Sequence, residues 1–479
     1  MRLRRTTLIT VGCFGILAGL GLARIFKLQS SLWWLAAAPL LLLIKAKNLS
    51  SFLLVCLLGL ILGLWRGGQY MVHVQDLHKL ALHQVTITAT ASNDSIYGKR
   101  SQIQFTGDHI ELLSPHKQPL AGSFKLSGFG EHMVYRGDVV QVTGKLYPSR
   151  GSSQAIIAYA KLTTIAAGHS WLDDLGRRFS AGMQNALPEP IASFAMGLLV
   201  GQRSTMPQDV ITMLTMVGLV HIVAVSGYNL TILVQAAERL KLRSKYQQLI
   251  LSLTLIVGFV LLTGFSASIV RAALVSTLTL IAWFYGRQIK PLLLISFAAA
   301  LTAFINPFYV WGDLSWYLSF LAFFGVLVIA PVITTRVFSN QPKILTSVLI
   351  ETLSAELMTL PLIMMTFSQL SLISLVANLL VVPLVPLAML LSAIAAGAGM
   401  LAAPIAGWFA LPARLLLTYM LDLVHILSGV PSEFLHLSIS PAMMILAYAL
   451  VLLITLAASR RIKLKNSAHL KAEQLSVTS

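Results

Sequence analysis

Acidic residues are scarce: Asp and Glu number 17 in 479 residues, against 35 Lys plus Arg, which leaves a formal charge of +18. Charge of either sign is also scarce, at 11% of the chain, where soluble domains carry about 25%. Cysteine is limited to Cys13 and Cys56, both inside apolar runs. They imply no disulfide framework and leave the redox compartment open. The sequence has no G-x-x-x-x-G-K-[ST] phosphate loop and no H-x-H-x-D-H cluster, so nucleotide hydrolysis, a metal centre and a resident cofactor are not expected. His73, His78 and His83 are spaced by five and do not stack on one helix face. Internal repeats and low-complexity tracts are missing too. Together these absences argue against a soluble enzyme, a disordered scaffold and a disulfide-rich secreted module.

Apolar length is what the chain has. Hydrophobic residues make up 56%, and mean hydropathy is +0.79. A water-soluble protein needs a polar exterior that this composition cannot supply, so a polytopic α-helical membrane protein is expected. A spanning helix needs about 20 apolar residues. Candidate spans are 7–26, 31–44, 50–66, 221–240, 246–264, 268–285, 291–306, 314–333, 345–366, 371–396, 402–427 and 440–458, about twelve in all. The first follows Met-Arg-Leu-Arg-Arg and lacks a clear cleavage site, so it reads as a retained helix. The run 31–44 is short enough to be re-entrant. The stretch 188–220 is broken by Pro188, Pro190, Gly197, Gly201 and Pro207 and reads as short helices packed on protein. Lys and Arg cluster in alternate loops, at 2–5, 45–47, 239–245, 287–290, 336–343 and 460–465. By the positive-inside rule both termini are cytoplasmic. Arg24 and Lys27 break the pattern and could snorkel.

Residues 80–166 differ. They are polar, and five short alternating runs punctuated by Gly and Pro predict a small β-barrel outside the cytoplasm. This region carries Lys99, Arg100, Lys117, Lys125, Arg136, Lys145, Arg150 and Lys161, with Tyr97, Phe105, Phe124, Phe129, Tyr135, Tyr147 and Tyr159. Cations that meet phosphates and aromatic faces that stack bases are the means of single-strand binding. Lys99, Arg100, Lys125, Arg136, Lys145, Arg150, Tyr97 and Tyr147 are the candidate contacts. The alternative is that the aromatics are core and the cations solvated. The chain thus divides into N-terminal transmembrane helices (1–70), a β domain (80–166), amphipathic and short helices (171–220), a transmembrane core (221–458) and a basic tail (459–479).

Polar residues inside apolar helices usually face protein or an aqueous path. GLVHIVAVSGYNLTIL brings His221, Ser226, Gly227 and Asn229 into a span. Ser226 and Asn229 share a helix face, and Gly227 invites a break. His221 and Ser226 as base and nucleophile would stand about 140° apart on a helix, and no acid orients the histidine, so helix-packing hydrogen bonds or a pore role compete with catalysis. Arg271, in TGFSASIVRAALVS, could neutralise a phosphate or pair with Asp313, Glu351 or Glu356. Glu351 and Glu356, in ETLSAELMTLPL, could pair with Arg271 or keep a phosphate chain from sticking. Asn378, Pro383 and Pro386, in ANLLVVPLVP, mark a discontinuous helix.

Four strings in order, GLLVGQRSTMPQDVITMLTMVGLVHIVAVSGYNLTIL, TGFSASIVRAAL, INPFYVWGDLSWYLSFLAFFGVL and SAELMTLPLIMMTFSQLSLISLVANLLVVPLVP, resemble the ComEC family of competence proteins, over about 180–390. The resemblance implies a channel in the bacterial cytoplasmic membrane that imports single-stranded DNA, with no enzymatic step, and an OB-like domain, inserted after the first helices, that receives DNA. It places the family's pattern on Gly201, Arg203, Gly218, His221, Ser226, Gly227, Arg271, Pro307, Ser319, Pro361, Asn378 and Pro383. Many relatives carry a C-terminal metallo-β-lactamase-like domain. No histidine-rich motif of that kind occurs here, which implies a separate nuclease as partner. A DNA receptor or pilus system, a cytoplasmic helicase and membrane lipids complete the implied partners, and a homo-oligomer is compatible with them. Two other classes stay open: a secondary transporter of a small anionic or lipid-linked substrate, and a membrane hydrolase built on His221 and Ser226.

Overall fold

The computed structural model describes residues 5–26, 49–97, 102–120, 122–131, 133–149, 153–168, 171–202, 205–223, 244–263, 267–287, 290–338, 342–367, 372–430 and 439–458, with scattered positions between 230 and 242. Nine helices among them are long and apolar enough to cross a membrane: Arg5–Phe26, Ser50–Val72, Lys245–Thr263, Ala267–Phe284, Leu314–Val337, Thr346–Thr366, Val376–Leu401, Ala403–Ser428 and Pro441–Ala458. Each coincides with an expected span. Pro291–Ile305, with proline at its first turn, is apolar but only 15 residues long. The expected spans 31–44 and, for the most part, 221–240 lie outside the described residues, as does the tail 459–479. The chain is a multi-pass membrane protein with a separate small sheet domain. It divides into two compact units, 1–212 with 220–317 and 386–421, and 213–219 with 318–385 and 422–479.

In the first unit, helices α1 (Arg5–Phe26) and α2 (Leu49–Lys79) pack face to face. The contact is a glycine ridge on both sides. A Cβ on Gly19 would lie 2.2 Å from the Leu60 carbonyl, and one on Gly63 would lie 2.2 Å from the Ile16 carbonyl. Small residues let two backbones meet where lipid offers no hydrophobic drive for association. The expected span 50–66 ended at 66 and the N-terminal helical region at 70, but α2 runs 31 residues without a break. Gln69, His73, Gln75, Asp76 and His78 lower its hydropathy without stopping it, because none is a helix breaker. Its far end delivers Leu77 into the core of the β domain, where Leu80 joins it.

That domain holds β1 (Gln84–Ala91), β2 (Ile96–Tyr97), β3 (Ile103–Ser114), β4 (Gln118–Leu120), β5 (Phe124–Phe129), β6 (Val139–Pro148) and β7 (Ala155–Ala166). Pairing runs β1–β3, β3–β5, β5–β7, β7–β6 and β6–β1, so five strands close into a ring. Every contact in the ring is antiparallel except β5–β7, which is parallel. Alternation puts Val85, Ile87, Leu112, Phe124, Leu126, Val142 and Ile157 inside.

Next come α3 (Trp171–Ala186), α4 (Ile191–Val200) and α5 (Gln208–Met216). The stretch 188–220 holds two short helices, α4 and α5. Helix α4 is apolar on every side and buried from Ile191 to Leu199, as an all-apolar helix must be. Helix α3 is amphipathic as expected: Asp174 and Arg177 pair on its exposed part, while Met183 and Ala186 are buried. The Leu314–Val337 span carries a π-helical turn at Gly325–Ile329, followed by α11 (Ala330–Val337), and within the second unit Gly325 backs onto the Ser354 carbonyl. Leu372–Val381 is interrupted by a 3₁₀ turn at Val382–Leu384 before Val385–Leu401 begins. That is the break Pro383 predicts, since proline cannot continue the ladder.

Candidate functional site

A belt of polar side chains lies where the barrel meets the ends of the helices. Helix α6 (Lys245–Thr263) ends beside the barrel, and the Arg136 Nη1 donates to the Leu261 carbonyl at 3.3 Å. On α2, Arg66 donates from Nε to Phe304 O and from Nη2 to Ile305 O, both at 2.9 Å. It thereby caps the C-terminus of α8 (Pro291–Ile305), where orphan carbonyls and the helix dipole favour a cation. One turn on, Tyr70 accepts from Gln154 Nε2 at 2.9 Å and meets the Trp311 ring edge-on at 5.6 Å. Trp311 in turn donates to the Leu20 carbonyl at 2.8 Å.

The centre of the belt is Arg271 on α7 (Ala267–Phe284), whose side chain is 1% exposed. Its Nη2 donates at 3.1 Å to both the carbonyl and the hydroxyl of Ser315. The opposing charge is Asp313, 2% exposed, with Tyr309 also in electrostatic range. Asp313 sits between α9 (Phe308–Gly312) and α10 (Leu314–Phe324) and N-caps the latter: its Oδ1 accepts from Ser315 N–H at 2.9 Å. Two donors of the Arg271 guanidinium, Nε and Nη1, are buried with no hydrogen-bond partner among the described residues. A buried cation with unused donors is costly unless something else accepts from it. Of the three carboxylates that the sequence left open to Arg271, Asp313 is the one in electrostatic range within the same unit.

Glu356 has a different neighbour. Within the second unit it lies on α12 (Ile344–Phe367), and its carboxylate hydrogen-bonds the Asn378 side chain on α13 (Leu372–Val381). Asn378 is 8% exposed, its amide donates to Glu356, and its Oδ1 has no partner among the described residues. Glu351 is half-buried on the same helix as Glu356. His221 is exposed in the turn after α5. Ser226, Gly227 and Asn229 lie outside the described residues, as do Lys99, Arg100 and Arg150, and of Tyr97 only the strand backbone is described.

The barrel aromatics split between the two expectations. Phe105 and Phe124 are core, while Phe129, Tyr135, Tyr147 and Tyr159 are exposed. Lys125 and Lys145 are exposed candidates, but Arg136 is turned to the helices and acts as a tether. Its place in a charged barrel gave no hint of that, because the acceptor is 125 residues away. Arg66, Tyr309 and Ser315 were missed as site residues. Among the described residues no group of three or more His, Cys, Asp and Glu could hold a metal ion.

The model of the Competence protein family matches residues 198–461, more than half of the chain. The chain belongs to this family. It is 27% identical over 212 residues to "ComE operon protein 3" of Bacillus subtilis (strain 168), covering 44% of this chain and 26% of that protein. The chain thus spans about a quarter of the length of the curated relative it matches. No solved structure matches it. Competence-pattern positions named from the sequence have local explanations here. Gly201 adopts φ +74° to end α4, its N–H reaching Met196 O and Gly197 O. Gly218 adopts φ +77°, and a Cβ there would lie 2.3 Å from Ser374 Oγ. Pro307 precedes α9, Pro361 lies inside α12 and Pro383 sits in the 3₁₀ turn.

Proposed function

We propose that this competence-family protein is the conduit by which single-stranded DNA enters the cytoplasm in natural transformation. The carrying observation is the family match over 198–461, which takes in Arg271, Glu356 and Asn378. Supporting it, the five-stranded ring has the connectivity of an OB barrel: in chain order its strands pair 1-2-3-5-4-1, with the 3–5 contact parallel. Loop charge puts this barrel outside the cytoplasm, where it receives the strand. The full count of spans is about twelve on this reading.

The chemistry follows from the polyanion. A strand carries one negative charge per nucleotide and is drawn to a +18 protein at a rate that falls with salt. Crossing lipid requires a protein-lined polar route, and the buried Arg271 in the first unit is a polar group suited to one. The Nε and Nη1 donors of Arg271, which meet no acceptor among the described residues, suit a phosphodiester oxygen in passage. Force comes from outside the chain, from a cytoplasmic helicase or from single-strand-binding proteins that trap the strand. A separate nuclease and an outer DNA receptor or pilus are the other partners.

Deleting the coding sequence in a transformable host tests the reading. Added DNA is expected to reach the cell surface yet remain open to external nuclease, with no transformants. Normal uptake and integration would overturn it and bring back the secondary transporter of a small anion.

A further inference from the structure

The ring of five strands is not evenly charged. β3 carries Asp108 and Glu111, and Glu111 holds Lys117 at 3.2 Å. β5 (FKLSGF), β6 (VVQVTGKLYP) and β7 (AIIAYAKLTTIA) contain three lysines and no acidic residue. These three are neighbours, in the order β5–β7–β6. The register aligns their outward side chains. Lys125 and Tyr147 flank Ile156 from opposite sides, and Phe129 and Thr143 flank Lys161. Lys145 lies opposite Ala158, beside Tyr159. At about 4.8 Å between strands, Lys125 and Tyr147 stand roughly 10 Å apart across the wall.

All six of these polar and aromatic side chains, Lys125, Phe129, Lys145, Tyr147, Tyr159 and Lys161, are exposed. Tyr159 is the most so, at 66%. It sits at a register shift between β6 and β7 with φ +55°, a bulge that re-aims its ring outward. The acidic residue that follows β5, Glu131, accepts at Oε1 from the Thr164 N–H at 2.8 Å. The contacts to the helices come from β3 and from residues just outside the wall strands: Asp108 lies in electrostatic range of Tyr309, Gln154 before β7 reaches Tyr70, and Arg136 before β6 reaches the Leu261 carbonyl, and none of the six exposed side chains is used in them.

We infer that the β5–β7–β6 wall, not the β3 side, is the surface of the barrel that takes a single nucleic-acid strand. Lysines 125, 145 and 161 meet phosphates, and Phe129, Tyr147 and Tyr159 stack bases. Three cations without an acidic neighbour on the strands attract a polyanion, and exposed ring faces give base stacking that no lipid headgroup or small anion would use. The inference rests on the proposed import of a strand, and it adds Lys161, Tyr159 and Phe129 to the contacts expected from sequence.

The test is binding of a fluorescent oligodeoxythymidine to the intact protein in lipid nanodiscs across a salt series. Replacing Lys125, Lys145 and Lys161 together by Ala is expected to weaken binding at low salt about tenfold or more. It should also cut the log–log salt slope by about 2, since each phosphate contact on a single strand contributes roughly 0.7. Tyr147→Ala with Tyr159→Ala should weaken binding about tenfold with little change in slope. His109→Ala with Lys117→Ala, on the β3 side, should leave binding within about twofold. A wall variant that melts early is replaced by the Lys→Gln triple. Unchanged binding by the wall variants overturns the inference and leaves strand import standing. No binding by the unaltered protein at low salt overturns both the wall and the receiving role of the barrel.

Discussion

Arg271 and Ser315 meet twice, the guanidinium Nη2 donating at 3.1 Å to the carbonyl and to the hydroxyl of the same residue. Asp313 reinforces the contact from the other side by capping the helix through the Ser315 N–H. The three residues join α7 to the α9–α10 corner, and the pair of opposite charges is buried. Removing one charge strands the other. Arg271→Ala is therefore expected to destabilise the protein by about 3–5 kcal/mol, read as a lowered melting temperature in detergent. Arg271→Gln with Asp313→Asn leaves a neutral pair that still caps Ser315, and should recover most of that loss. If Arg271 serves the passing strand, the neutral pair remains defective in DNA uptake at normal protein abundance. Normal uptake by the double variant would make Arg271 a purely structural residue.

Asp108 supplies a pH dependence in the barrel. Burial raises its carboxyl above the ordinary 3.8, opposed by the His109 charge and the Ser92 hydroxyl. A raised acid binds more protons folded than unfolded, so stability falls as pH climbs from the unfolded value through the folded one, and stays lowered above it. Asp108→Asn removes the penalty. The variant should be the more stable near about pH 7, with the difference closing toward about pH 4. Hydrogen exchange of the β3 amides in the intact protein reads this directly. A variant that exchanges faster than the unaltered protein near neutrality would contradict it.

Local patterns carried most of the fold. Alternation placed five strands, and the closed ring uses those five, with the two short strands β2 and β4 added on β3. Apolar length placed the nine long helices. The errors came where one local rule stood for a tertiary fact. Helix α2 outlasts its apolar stretch because the barrel, not lipid, receives its end through Leu77. The belt around Arg271 is assembled from long-range pairs. Arg66 and Phe304 are 238 residues apart, and no spacing rule joins them. Arg136 looks in sequence like any other barrel cation. Its tethering is visible only once Leu261 is beside it. Asp313, the carboxylate in electrostatic range of Arg271 within its unit, was one of three that the residues allowed, because charge complementarity names partner types and not distances.

Glu356 and Asn378 test the second unit by itself. Asn378 is buried, with the half-buried Glu356 as its side-chain partner and an amide oxygen that has no partner among the described residues. Within a membrane such pairs couple by about 0.6 kcal/mol, up to about 1.7. A double-mutant cycle with Glu356→Gln and Asn378→Ala should give coupling in that range. DNA uptake by Asn378→Ala distinguishes packing from passage. A packing role scales uptake with protein abundance, whereas a role in the route lowers uptake at unchanged abundance.

The glycine ridge between α1 and α2 makes the sharpest stability prediction. Gly63 has no room for a side chain: its Cβ would fall 2.2 Å from the Ile16 carbonyl, 2.8 Å from Leu20 N and 2.9 Å from Gly19 Cα. All three are backbone atoms, so no rotamer change relieves the clash and the helices must separate. Separation would forfeit the close packing that holds membrane helices together. It would also shift the far end of α2, which carries Arg66 to the α8 carbonyls and Tyr70 to Gln154. Gly63→Leu is expected to cost about 1–3 kcal/mol or more and to reduce the amount of folded protein in the membrane. Gly21→Leu is the control, since a Cβ there meets nothing within 4 Å. It should change the melting temperature little, since single surface substitutions stay within about 0.5 kcal/mol. Equal melting of the two variants would mean that the ridge is not what fixes α2, and that the barrel is held in place by its other contacts alone.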